Sequence, residues 1–345
     1  MPKKSIKKIF IIPIFLPHQG CPHRCVFCQQ QTITNYRGKQ PTVDEIRNTI
    51  ELAIRSKRFS DKRSKEVAFF GGTFTSLPIS SMKKMLGAVK SYIEKGVIQS
   101  IRLSTRPDSL SEDKLNILKS FHVSTVELGV QSMDDRVLLL SNRGHTSQDT
   151  VNAFKMLKSR GFAVGAQLMP GLPGDSKEIF MSTIDKVIGL KPDMARLYPT
   201  LVIRGTKLAQ WYKQGRYAPM GLKDTINLCK EACIQLENSG ISVIRIGLMS
   251  SPSLLEEGEI IAGPWHPSLG FLIRSAIHLE KIRPYLPAVG ETKTILLHVP
   301  HKEIPLLVGY KKSGMRRIET ITGSVIKDII PDDTIPCGEV AVTVL

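Results

Sequence analysis

Three cysteines stand close together at the end of the first apolar run. Cys21, Cys25 and Cys28 form a C-x3-C-x2-C triplet, entered through His18-Gln19-Gly20. Thiolates spaced this tightly on one segment suit an iron–sulfur cluster, which four cysteines normally saturate. Three would leave one iron of a [4Fe–4S] cube open to a nitrogen or oxygen ligand from a cofactor or substrate. Zinc is the nearest alternative, since Cys3His sites exist and His18 and His23 are at hand. Structural zinc sites, however, usually draw on two separated CxxC-like pairs. Three unliganded thiols is the remaining reading. The other cysteines are scattered: Cys229 and Cys233 sit at i, i+4 of a helical pattern, where a buried apolar pair is a simpler account than a second metal site.

The elements that must position the triplet read as repeated βα units. Short β-branched apolar runs recur at Lys8 to Phe15, Glu66 to Gly71, Ser100 to Thr105, Thr125 to Val130, Ala163 to Met169 and Ala195 to Pro199. Helical patterns follow them, the first opening at Thr42 with Glu45 three residues on, the spacing of a capping box. Apolar strands alternating with amphipathic helices predict a parallel sheet covered by helices, here a partial (β/α)6 TIM-like barrel. In such barrels ligands gather at the carboxyl ends of the strands, where the triplet would lie. After Ile244 the rhythm breaks. Leu248 to Pro264 reads as loop, and Ile295 to Val299, Arg317 to Ile321 and Val340 to Val344 read as short strands. The expected division is a core barrel over 1–245 and a small α+β extension over 246–345 that shapes substrate access.

With the triplet and its neighbours in place, the chain resembles the radical S-adenosylmethionine (SAM) superfamily. The aromatic Phe27 before the last cysteine belongs to that signature, and Gly71-Gly72-Thr73, at the end of the second strand, resembles the family's glycine-rich motif. Ser104-Thr-Arg-Pro-Asp108, Glu127-Leu-Gly-Val-Gln-Ser132 and Asn142-Arg-Gly-His-Thr146 look specifically like the radical SAM domain of the Elongator catalytic subunit and its bacterial relatives. So do Gln167 to Gly174 and Leu197 to Gly205. Gln131 and Arg143 also resemble SAM-holding positions of oxygen-independent coproporphyrinogen oxidases. The resemblance implies a [4Fe–4S] cluster on Cys21, Cys25 and Cys28 that reductively cleaves SAM to a 5′-deoxyadenosyl radical. It also implies a reductant such as flavodoxin or ferredoxin as partner. By position, Phe27 would lie against the adenine, Gly71, Gly72 and Thr73 would hold the methionine end, and Ser104 would sit near the ribose. Gln131, Arg143 and Gln167 would complete the pocket, although the two glutamines could equally serve only to tie barrel-mouth loops together. His145, Tyr198 and His266 are candidates for proton transfer or radical quenching, and none earns a catalytic assignment. Nothing after the barrel resembles an acetyltransferase domain, so acetyl-CoA chemistry is not implied. Gly263 to Gly270 instead resembles an extension seen on other radical SAM proteins, with Trp265 and His266 placed to cover the substrate side.

Charge bears on the substrate. Across 345 residues, 48 Lys and Arg against 31 Asp and Glu give a formal net charge of +17, which favours a polyanionic partner. RNA, and tRNA in particular, is the expected substrate. A small-molecule or tetrapyrrole substrate and a non-catalytic iron–sulfur RNA-binding or sensor protein are the alternatives. Hydrophobic residues make up 41% and charged residues 23%, ordinary for a globular fold and unlike disorder or a fibrous repeat. The apolar run Ile9 to Leu16 is too short for a membrane span and contains Pro13, and no cleavage site follows, so neither span nor signal peptide is expected. Clustered free thiols suit a reducing compartment, and a cytoplasmic location is the expectation.

Overall fold

The computed structural model describes residues 9–36, 38, 40–60 and 62–345. The basic run Lys3, Lys4, Lys7 and Lys8 lies outside them. By their own contacts the residues divide into two units, Met1–Met220 with Leu236–Pro264, and Gly221–Gln235 with Trp265–Leu345.

The first unit is built on strands β1 (Phe10–Leu16), β2 (Lys65–Gly71), β3 (Ser100–Thr105), β4 (Val123–Gln131), β5 (Ala163–Leu168), β6 (Met194–Leu197), the two-residue β7 (Val202–Ile203) and β8 (Ser242–Ile246). Seven of these form one all-parallel sheet in the order β1-β2-β3-β4-β5-β6-β8. Laid flat, seven strands would span about 29 Å at the usual strand spacing. Side chains from both edge strands nevertheless line one cavity, so the sheet is curled into a half-barrel. Six strands were expected. The seventh, β8, falls where the rhythm of the sequence breaks; its Ile244 turns outward at 42% exposure and its Arg245 lines the cavity.

The helices of the connections are α1 (Gln30–Thr34), α2 (Val43–Ile54), α3 (Ile79–Glu94), α4 (Glu112–Ser120), α5 (Asp135–Leu140), α6 (Ser147–Ser159), α7 (Lys177–Leu190), α8 (Lys207–Lys213) and α9 (Leu222–Asn238). The expected capping box opens α2: Thr42 Oγ1 accepts from Glu45 N at 3.2 Å and the Glu45 carboxylate accepts from Thr42 N at 2.7 Å. A second box, Thr146 with Asp149, fixes the start of α6 directly after the Asn142-Arg143-Gly144-His145 segment. Cys229 and Cys233 on α9 are fully buried. The segment read as loop over Leu248 to Pro264 contains β9 (Ile260–Ala262), paired antiparallel with β7.

The second unit adds α10 (Leu269–Ile282), β10 (Thr294–Val299), α11 (Ile304–Val308), α12 (Ser313–Thr322), β11 (Val325–Pro331) and β12 (Ala341–Val344). Its three strands run in the order β11-β10-β12 over a core of Ile282, Ile295, Leu297, Val299, Leu307 and Ile318. Arg317 to Ile321, expected as a strand, is helical within α12. Its buried residues Ile318 and Thr322 recur at four, the helical period, and this outweighs the β-branched composition. Among the described residues no helix is long and apolar enough to cross a membrane.

Candidate active site

A cavity of about 420 Å³ opens in the first unit, with every strand of the seven-stranded sheet contributing to its wall. The cysteine loop leaves β1 through two left-handed residues, His18 at φ 57° and Gly20 at φ 70°. Short backbone turns then shape it, Cys21 N donating to His18 O at 3.3 Å and Cys28 N to Cys25 O at 3.1 Å. Its outer side is held from far along the chain. Val26 N donates to Ser141 O at 3.1 Å, Leu208 N to Val26 O at 2.8 Å, and Asn142 Nδ2 to Arg24 O at 2.9 Å.

The glycine-rich turn after β2 is knitted to the same loop. Gly72 N and Thr73 N donate to Leu16 O and Gln19 O, both at 2.8 Å, and Thr73 Oγ1 lies 3.5 Å from Cys21 Sγ. Gln30, which the motifs did not flag, completes the joint with His18. Gln30 N donates to His18 Nε2 at 3.1 Å, its side-chain amide donates to Gly71 O at 3.0 Å, and its carbonyl accepts from His18 N. Gly71 needs its glycine for a φ of 108°, whereas Gly72 needs it for space. A Cβ on Gly72 would collide with the Gln19 and Leu16 carbonyls. Gly72→Ala is therefore expected to cost about 1–3 kcal/mol as the cysteine loop is pushed away. A wild-type urea midpoint for that variant would show that the loop yields freely.

Arg143 enters from the turn after α5 and is nearly buried. Its Nη1 donates to Cys25 Sγ at 3.2 Å and its Nη2 to Gly129 O at 2.6 Å, while the buried Nε has no partner among the described residues. Burial and the neighbouring Cys25 and Cys21 thiols push the Cys28 thiol upward, with Arg143 opposing them. Gln131, at the end of β4, holds a left-handed φ of 67°, and its side-chain carbonyl accepts from Gln167 Nε2 at 3.3 Å. The two glutamines thus bond to each other across adjacent strands. Ser104 and Phe27 line the same cavity, as do all the residues that the sequence assigned to cluster or cofactor.

The stretches around Gln167 and Leu197 are explained by their backbone. Tyr198 N donates to Leu168 O at 2.8 Å, and Thr200 gives both its N–H and its hydroxyl to Pro170 O at 3.0 Å. Tyr198 lines the cavity and accepts from Arg196 Nη1 at 3.0 Å. His145 does not line it. Burial first, then Arg143 and Arg106, lower its pKa to about 3, so it stays neutral in the wall. His266 falls in the second unit, edge-on to Tyr310 with ring centroids 4.8 Å apart.

Beneath these groups runs a feature that motif reading missed. Glu66, Arg102, Glu127 and Arg196 form a ladder of alternating charge across β2, β3, β4 and β6. Arg102 Nε lies 2.8 Å from Glu66, and Arg102 Nη1 lies 2.8 Å from Glu127. Arg196 Nε and Nη2 lie 2.8 Å from the two Glu127 oxygens. The available signal was a glutamate or arginine inside each of four strands, alternating in sign along the chain. Buried charges that the parallel sheet brings within reach of one another must then pair, because isolated buried charge is too costly.

No three His, Cys, Asp or Glu side chains among the described residues converge on a single metal ion. A lone zinc requires such convergence, with sulfur at about 2.3 Å from one point. A cubane does not, since each cysteine binds a different iron and the sulfurs stand around the cube.

Comparison with known proteins agrees with this geometry. The family model described as the radical SAM superfamily matches residues 15–187, and that of the radical SAM C-terminal domain matches residues 192–278. An uncharacterized protein of Methanocaldococcus jannaschii is 31% identical over 240 residues, covering 66% of this chain and 71% of its own. A tRNA uridine(34) acetyltransferase of the same organism is 27% identical over 268 residues, covering 67% of this chain and 50% of that protein. Elongator complex protein 3 of Homo sapiens is 26% identical over 269 residues, 66% of this chain and 49% of that one. The chain thus spans about half the length of these last two relatives. The archaeal Methanocaldococcus infernus Elp3 structure superposes with a TM-score of 0.61 at 24% identity, over 80% of this chain and 64% of that one, and shares its fold. A triplet of thiols on the first βα loop, a glycine turn bonded to it and a family match over half of the chain make one conclusion: the chain is an enzyme of the radical SAM superfamily.

Proposed function

We propose that Cys21, Cys25 and Cys28 hold a [4Fe–4S] cluster with one open iron, that SAM occupies the cavity beside it, and that the enzyme begins hydrogen abstraction on an RNA substrate. The observation that carries this is the placement of three thiols, an arginine with an orphaned buried Nε and a glycine turn in the wall of one cavity. When bound, the cluster and SAM together supply the electron and the carbon radical that the substrate hydrogen atom meets.

The chain's own residues orient and shield. The Gly72 carbonyl accepts no hydrogen bond among the described residues and is suited to an ammonium donor such as the amino group of SAM. Arg143 offers its Nε to a carboxylate while its Nη1 stabilises charge on the Cys25 sulfur. Ser104, whose side chain makes no hydrogen bond among the described residues, and the half-buried Phe27 supply a hydroxyl partner and a flat apolar face. Gln131 and Gln167 brace one another at the mouth. The second unit serves substrate access. RNA is favoured by the net charge of +17 and by relatives named for tRNA uridine(34) modification. The proposal covers the radical step and not acetyl transfer.

The test is anaerobic reconstitution with iron and sulfide, reduction with dithionite, and chromatography for 5′-deoxyadenosine after SAM is added, repeated with and without bulk tRNA. Deoxyadenosine made only by the reconstituted protein supports the cluster and SAM assignment, and none from a fully loaded protein sinks it. Stimulation by tRNA supports the substrate, while stimulation by a small-molecule pool alone removes RNA. Arg143→Lys keeps the charge but loses the fork. It is expected to lower SAM cleavage about 10- to 100-fold, the usual effect of losing a group that supports a metal ligand. Unchanged turnover would return Arg143 to a purely architectural role.

A further inference from the structure

Four arginines line the cavity, and three have their charge matched or directed by fixed partners. Arg106 grips Asp108 with two bonds of 2.9 and 2.7 Å. Arg196 is paired with Glu127, and because that ladder contains two glutamates and two arginines its formal charge is zero. Arg143 faces the cysteine loop. The fourth, Arg245, is different. On β8 it makes only a bond from Nε to Gly247 O at 3.3 Å, and among the described residues it has no ion pair. Both its terminal amino groups therefore remain without a partner.

Position gives this a meaning. The groups assigned to cluster and SAM belong to β1 through β5 and the loops that follow them, leaving β6 and β8 for substrate. Arg196 on β6 is consumed by the ladder, and Arg245 is its direct neighbour in register on β8. A half-buried guanidinium with a free fork and no counter-charge selects an oxyanion. We propose that Arg245 receives a phosphate of the RNA substrate at the β8 side of the cavity, an inference that rests on the RNA reading above.

The test compares holoenzyme with R245Q and R245K, measuring bulk tRNA affinity at several salt concentrations and checking each variant's fold by thermal melting. One phosphate contact contributes about one unit to the slope of log affinity against log salt. R245Q is expected to bind tRNA several-fold more weakly with a slope smaller in magnitude by about one, and R245K is expected to recover the slope. A wild-type holoenzyme that binds tRNA, with R245Q matching it in affinity and slope, overturns the assignment of Arg245 alone. A wild-type holoenzyme that binds no tRNA overturns the RNA reading and this contact with it.

Discussion

Alanine at Cys25 is expected to yield a folded protein that takes up little iron and sulfide and makes no measurable 5′-deoxyadenosine from SAM. The fold survives because the loop is held by backbone bonds, Val26 to Ser141 and Leu208 to Val26, that do not involve the thiol. The activity does not, because two protein ligands cannot hold the cube with a single open iron. Cys337, exposed in the second unit, supplies the control: Cys337→Ser should match wild type in iron content and turnover. The measurement is iron and sulfide per chain alongside deoxyadenosine. A Cys25→Ala protein that cleaves SAM at the wild-type rate would remove the cluster from this loop.

The largest effect on stability is expected at Glu127. It is 4% exposed and accepts from both Arg102 and Arg196. Glu127→Ala strands the Arg196 guanidinium and leaves Arg102 with Glu66 alone, and breaking a buried ion pair from one side costs about 3–5 kcal/mol. Glu127→Gln should cost less, since one carbonyl oxygen still accepts while the charge is lost. Urea denaturation of both variants checks this. A loss below about 1 kcal/mol for the alanine variant would mean that cavity water solvates the arginines, and the ladder would then be no stronger than a surface pair.

The cysteine triplet, the glycine turn and the strand ends were legible in the sequence because each depends on residue types with few alternative uses. Three thiols within one loop and paired glycines after an apolar strand say where chemistry sits. The partners of Arg143 were not legible: which of its nitrogens meets Cys25 Sγ depends on how the turn after α5 packs, more than a hundred residues downstream. The ladder was hidden for the same reason, since Glu66, Arg102, Glu127 and Arg196 lie far apart in sequence and meet only through register. Helix α12 was misread on composition, and strand β8 was left unassigned where the rhythm breaks. Ile244 points outward, and the β-branched residues of α12 pack at helical spacing. In α12 tertiary packing outweighed local preference.

The way the cysteine loop is anchored has a bearing on the order of events during synthesis. On its outer side the backbone partners are Ser141, Asn142 and Leu208, all supplied by later parts of the chain. A nascent polypeptide that has emerged only through β1, β2 and the glycine turn holds the loop from its inner side alone. The outer side of the loop is therefore closed only once the stretch containing Leu208 has joined the half-barrel, so the loop's final shape is a late product of chain assembly.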